Sequence, residues 1–151
     1  MKVYSRKDKY GSYQLSYENK LMHAVVTGAV GESLAKQFAK DFTELVNTID
    51  VPFWGYVGDM TALQAYTTEA EVYVLATHNL AMKSGSVIDT YCIGTAVSKA
   101  QLIRIRKQSG IESDLEDHLY GSIDECAKAA LFIINKLEKK RRIISDEDYA
   151  V

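Results

Sequence analysis

The sequence predicts an α/β domain, a mixed β-sheet of about five strands with about four helices packed on it. Three observations carry that prediction. The hydrophobic period switches back and forth between two and about 3.6 residues along the chain. Cap and turn residues stand where it switches. The 151 residues are 47% hydrophobic and 25% charged with a single Pro, and no repeat or low-complexity linker divides them, which suits one core.

Gly11 to Tyr17 alternates, with Tyr13, Leu15 and Tyr17 on one face, as a strand does. Glu18-Asn19-Lys20 supplies a turn, and Leu21 to Thr27 returns as a second strand, giving an antiparallel hairpin. After Gly28, Leu34, Phe38, Phe42, Leu45 and Ile49 recur at helical spacing over Ser33–Ile49, and Asp50 and Pro52 end that helix. Phe53 to Val57 is aromatic and β-branched and reads as the third strand, with Asp59 at its end.

A second helix starts near Thr68, where Thr68 and Glu71 have capping-box spacing, and Gly85 stops it. Val87 to Ile93 is the next strand. Ser98 and Gln101 repeat the capping-box spacing for a third helix closed by Gly110. Leu115 to Tyr120 is a short final strand. Ser122 and Glu125 cap a last helix carrying Ile123, Cys126, Ala127, Ala130, Ile134 and Leu137 on one stripe. Strands alternating with helices require a largely parallel sheet beyond the hairpin. Residues 1–9 read as an extension, 10–142 as the domain and 143–151, with Asp146, Glu147 and Asp148, as an acidic tail.

This order, with the hairpin Tyr13–Thr27, the strand ending in Asp59, the uncharged helix after Thr68 and the Tyr120-Gly121-Ser122-Ile123-Asp124-Glu125 junction, resembles the STAS fold of sulfate transporters and anti-sigma-factor antagonists. Within it, the chain is most similar to the SpoIIAA-like family of small stand-alone bacterial proteins. The resemblance implies a non-enzymatic regulatory module that meets a protein partner, such as a kinase, through the loop and helix start after the third strand. It also implies a phospho-acceptor there, where the family opens its helix with Asp-Ser-Ser/Thr-Gly after a strand-end Asp. Asp59 matches the strand end. Thr67 and Thr68 stand at the Asp-Ser pair, and Ala70 stands roughly where the Gly would be. A phosphate on Thr68 would gain from the helix N-terminus and be repelled by Glu69 and Glu71. The plainer reading of Thr68 is an N-cap.

The alternative function is a carrier or sensor of a small hydrophobic ligand. Trp54 and Tyr56 share a strand face, Met60, Leu63 and Tyr66 crowd the loop after Asp59, and the next helix offers Leu75, His78 and Met82. Helix Val72–Met82 is free of charge, so it is either buried on several sides or covers an apolar space. The plainer reading of these residues is an ordinary packed core.

No metal or cofactor motif is present. His23, His78 and His118 have no ligand spacing, and Cys92 and Cys126 read as two inert buried thiols in a reducing compartment. Gly28-Ala29-Val30-Gly31 lacks the further residues of a nucleotide-binding loop. A net charge of -2 argues against a nucleic-acid partner. No apolar stretch follows the basic N-terminus as a signal requires, and the longest uncharged runs, Leu21–Gly31 and Val72–Met82, are too short for a membrane span, so a cytoplasmic location is expected. Lys136, Lys139, Lys140, Arg141 and Arg142 suit a helix C-terminus or peripheral contact with anionic lipid. A homodimer is among the expected assemblies.

Overall fold

The computed structural model describes residues 1–149 of the chain. The first three strands, β1 (Val3–Lys7), β2 (Gly11–Glu18) and β3 (Leu21–Val30), pair antiparallel. After α1 (Glu32–Val46) come β4 (Trp54–Met60), β5 (Leu63–Tyr66), α2 (Thr68–Lys83) and β6 (Ser86–Ile93). The chain closes with α3 (Ala96–Gln108), a single 3-10 turn (Leu115–His118) and α4 (Ile123–Tyr149). The strand order is β1-β2-β3-β4-β6, with β5 beside β3, and β4, β5 and β6 all run parallel to their neighbours. This is the mixed α/β sheet with an N-terminal hairpin that the sequence predicts.

Four elements differ from expectation. Residues 3–7 are not an extension: β1 lies on β2 and buries Tyr4 against α1, where the Tyr4 hydroxyl donates to Glu44. The segment after Asp59 is not a loop but a two-residue turn and β5, which continues the line of β4 along β3. Leu115–Tyr120 is not a strand: Leu115–His118 form a 3-10 turn, and the segment meets β6 through the single bridge Tyr91–Leu119, the Tyr120 N bond to Tyr91 O and the His118 contact with Asp89 O. The acidic Glu116-Asp117 pair within it leaves no alternation to sustain a strand. Of the acidic tail 143–151, residues 150 and 151 lie outside the described residues, and the backbone up to Tyr149 is part of α4.

Gly28 is the hinge that makes β3 long enough to hold both β4 and β5. Its φ is +75°, the β3–β5 register shifts beside it, and an added Cβ would stand 2.3 Å from Tyr10 O. Only glycine meets both conditions without strain.

The sheet separates two cores. On one face Leu15, Met22, Trp54 and Tyr91 pack against Phe38, Phe42 and Leu45 of α1 and Leu102 of α3. Phe42 lies 6.3 Å from both the Trp54 and Tyr56 rings, which share this face as their spacing predicts. On the other face Leu21, Val57 and Cys92 pack against Cys126, Ala130 and Ile134, the middle of the stripe predicted for the last helix.

Candidate functional site

The start of α2 is built rigidly. Asp59 Oδ1 accepts from Thr61 N at 3.1 Å and fixes the turn into β5. The free edge of β5 is closed by a side chain: Gln101 Oε1 accepts from Tyr66 N at 2.8 Å, and Gln101 Nε2 donates to Tyr66 O at 2.8 Å. Thr67 N donates to Val30 O, and Thr67 Oγ1 accepts from Ala70 N at 3.1 Å. Thr67, not Thr68, is therefore the N-cap, and Thr68 is the first helical residue. Glu71 makes no capping box, because its carboxylate pairs with Arg104 of α3. The same shift occurs at α3, where Thr95 caps by accepting from Ser98 N. At α4 the expected cap is present: Ser122 Oγ accepts from Glu125 N at 3.2 Å. Thr67 and Thr68 are both exposed.

A cavity of about 230 Å³ opens elsewhere, between the C-terminal half of α2 and β6. Tyr56 and Tyr91 form its floor, and His78, Ala81 and Met82 its α2 wall. Ile111, Ser113 and His118 close the far side. Of the expected pocket residues, the structure brings Tyr56, His78 and Met82 together here. Trp54, Met60 and Leu63 are core residues, 0%, 3% and 0% exposed, and Trp54 Nε1 donates to Ser84 O. Tyr66 borders a separate void of about 10 Å³, room for no more than one water. Leu75 is half-buried on α2 and lines neither space.

Asp89, Tyr91, Ser113 and His118 give the cavity a polar wall backed by Arg106, and of these only His118 was named from the sequence. Arg106 Nε and Nη2 donate to Asp89 Oδ2 and Oδ1 at 2.8 and 3.1 Å. Arg106 Nη1 and Nη2 donate to Ser113 O and Oγ at 2.8 and 3.0 Å. Tyr91 Oη donates to Asp89 Oδ2 at 2.9 Å, and His118 Nδ1 lies 2.6 Å from Asp89 O. Burial works against the Asp89 carboxylate, but the Arg106 bonds and charge outweigh it and hold its pKa below the usual range. Burial drives the Tyr91 phenol well above its ordinary value, with Asp89 adding to the effect, so it remains a neutral donor. The available signals were a lone Asp inside the apolar run Val87–Ile93, and an Arg four residues after Leu102 on the inward stripe of α3.

The remaining candidates are structural. Cys92 and Cys126 Sγ lie 3.8 Å apart as free buried thiols, and burial, then the Cys92 contact, pushes Cys126 up to about 12. The Gly28 and Ala29 N–H groups are spent on Ala62 O and Tyr10 O, so no anion cradle forms. Lys136, Lys139, Lys140, Arg141 and Arg142 are exposed on α4, with Arg141 over the Phe53 ring. Among the described residues no group of three or more His, Cys, Asp or Glu is placed to hold a metal, and no helix is long and apolar enough to cross a membrane.

The fold is that of an STAS domain. The structure matches an anti-sigma factor antagonist from Mycobacterium paratuberculosis at TM-score 0.54 and 12% identity, over 85% of this chain and 94% of that one. It matches SLC26A9 at TM-score 0.56 and 9% identity, over 80% of this chain. The chain spans about a fifth of SLC26A9, 21% of that chain. At these identities the likeness is one of fold. No protein-family model matches the chain, and no curated protein matches it in sequence.

Proposed function

We propose that the protein is a non-enzymatic regulatory module that binds a protein partner through the Asp59–Thr68 segment and the first turns of α2. The fold shared with an anti-sigma factor antagonist supports the class. The observation that carries the site is a fixed helix start with Thr67 and Thr68 both facing solvent. Val72 on α2 and Val97 on α3, 65% and 56% exposed, offer apolar surface on the same two helices. Glu71 is neutralised by Arg104, so only Glu69 of the two expected carboxylates opposes a phosphate on Thr68. The buried thiols fit a reducing cytoplasm.

The test is reconstitution with a purified kinase-like partner identified by cross-linking through this face. Thr68→Glu and Val72→Asp are expected to weaken the complex about tenfold or more, as loss of a central contact does. Met82→Trp, at the cavity rim, is expected to leave it unchanged. Binding indifferent to both of the first two changes would refute the site.

A second reading, a sensor of a small hydrophobic ligand, is favoured by one observation, the largely apolar cavity beside Tyr56, His78 and Met82.

A further inference from the structure

We propose that this cavity takes a small uncharged molecule whose apolar body carries one hydrogen-bond donor, and that His78 Nε2 receives that donor. The inference rests on the ligand-sensor reading and names the chemistry of its ligand.

The contacts around His78 call for more protons than its groups bring. Three contacts run in a chain: His78 Nδ1 to Val74 O at 3.0 Å, His78 Nε2 to Tyr91 Oη at 3.3 Å, and Tyr91 Oη to Asp89 Oδ2 at 2.9 Å. Each needs one proton, whereas a neutral imidazole and a phenol bring two between them. Val74 O also receives Thr77 Oγ1 at 2.6 Å and can only accept, so a bare lone pair on Nδ1 at 3.0 Å would be repelled and Nδ1 carries the imidazole proton. The phenol proton goes to the carboxylate, which is the nearer and the stronger acceptor. His78 Nε2 is then a lone pair facing an oxygen whose proton is turned away. Protonation of the ring would supply the missing proton. Burial disfavours it and Arg106 adds to that, prevailing over the Val74 carbonyl and Asp89, so the His78 pKa lies below its ordinary value.

The rest of the wall excludes a charged head group. Arg106 is committed to Asp89 and Ser113, and no Lys or Arg lines the cavity. An anion would lose its water beside the Asp89 carboxylate with no free cation to replace it. The body is apolar because Phe42, Ala81, Met82, Val87 and Ile88 supply the surrounding surface. The volume of about 230 Å³ exceeds the roughly 150 Å³ that admits benzene in an engineered apolar cavity, so a substituted ring has room.

The test compares three probes of one shape by calorimetry with the full chain at neutral pH: 4-propylphenol, its methyl ether 4-propylanisole, and 4-propylbenzoate. The phenol is expected to bind about tenfold tighter than the ether, the yield of one well-placed hydrogen bond, and the benzoate weakest. His78→Phe is expected to lower the phenol to the affinity of the ether. In the wild-type protein the His78 Nε2 nitrogen resonance is expected to move with the phenol and not with the ether, which keeps the inference testable should His78→Phe fail to fold. An ether as tight as the phenol, a benzoate tightest of the three, a phenol preference surviving His78→Phe, or an unmoved Nε2 resonance would each overturn the donor assignment while leaving the cavity a site. Binding of none of the three at millimolar concentration would overturn the ligand-sensor reading itself.

Discussion

Asp41 and Asp89 are built from the same parts and do different work. Each carboxylate accepts from an arginine and a tyrosine. Asp41, on α1, receives Tyr13 Oη at 2.6 Å, Gln37 Nε2 at 3.1 Å and Arg6 Nε at 3.2 Å. Its side chain is 2% exposed while that of Arg6 is 47% exposed, so the cation reaches in from water to a buried anion. At Asp89 the order is reversed: the Arg106 side chain is 3% exposed and that of Asp89 15%. Two histidines join the second cluster, and a cavity adjoins it. The Asp41 cluster closes on itself and rivets α1 to the hairpin. The Asp89 cluster is a wall, with one acceptor left over on its open side. The two ion pairs thus differ in whether their donors and acceptors balance, and the proposed site adjoins the one where they do not.

The largest expected effect separates the two arginines. Arg106→Ala strips a desolvated carboxylate of its cation and leaves Ser113 O unmet. It is expected to cost about 3 kcal/mol in denaturant unfolding, the lower end for a broken buried pair, since Tyr91 and His118 remain. Arg6→Ala is expected to cost less, because water can take the place of a half-exposed guanidinium and Tyr13 and Gln37 still donate to Asp41. Equal losses would break the comparison. A smaller effect separates the tyrosines. Tyr13→Phe removes a buried bond to a carboxylate and is expected to cost about 2 kcal/mol. Tyr91→Phe is expected to cost less, because the oxygen it removes also faces the unmatched His78 Nε2. The same unfolding curves rank the two.

The sequence made the sheet legible because period and caps agree along most of the chain. The Tyr13–Leu15 alternation, the Leu34–Phe38–Phe42–Leu45 stripe and the Cys126–Ala130–Ile134 stripe all face cores in the structure. It hid β1, whose Val3, Arg6 and Lys7 look like a charged tail because only Tyr4 points inward. It hid β5 because four residues are too few to show a period. The lining of the cavity was legible in part. Tyr56, His78 and Met82 were found through aromatic spacing and an uncharged helix. Trp54, Met60 and Leu63 share that chemistry yet are packed solid, since composition does not distinguish a lining residue from a filled core. Asp89 and Arg106 were missed because each is an ordinary charge in its own segment. Only the fold brings them to 2.8 Å.

The smallest effect is one of pH, and it belongs to the second cluster alone. The partners of Asp41 include no group that titrates near neutrality. His78 meets Val74 O within α2, Tyr91 and Asp89 from β6, and the charge of Arg106 from α3. Its folded pKa lies below the ordinary 6.5, chiefly through burial, so near that pH the unfolded chain holds more protons than the folded one. Stability therefore declines as pH falls below about 6.5 and levels off beneath the folded value. His23, also lowered by burial, adds its own share. His78→Phe is expected to flatten part of this decline and Tyr13→Phe to leave it intact, measured as unfolding free energy from pH 7.5 to 5. A second decline is expected below about pH 4, where Asp89, whose folded pKa is depressed, loses its advantage as it is protonated. Arg106→Ala should weaken that acid limb and His78→Phe should not. A His78→Phe profile superimposable on wild type from pH 7.5 to 5 would mean that the imidazole titrates as it does in the unfolded chain, and the two carboxylate clusters would then differ in geometry but not in proton count.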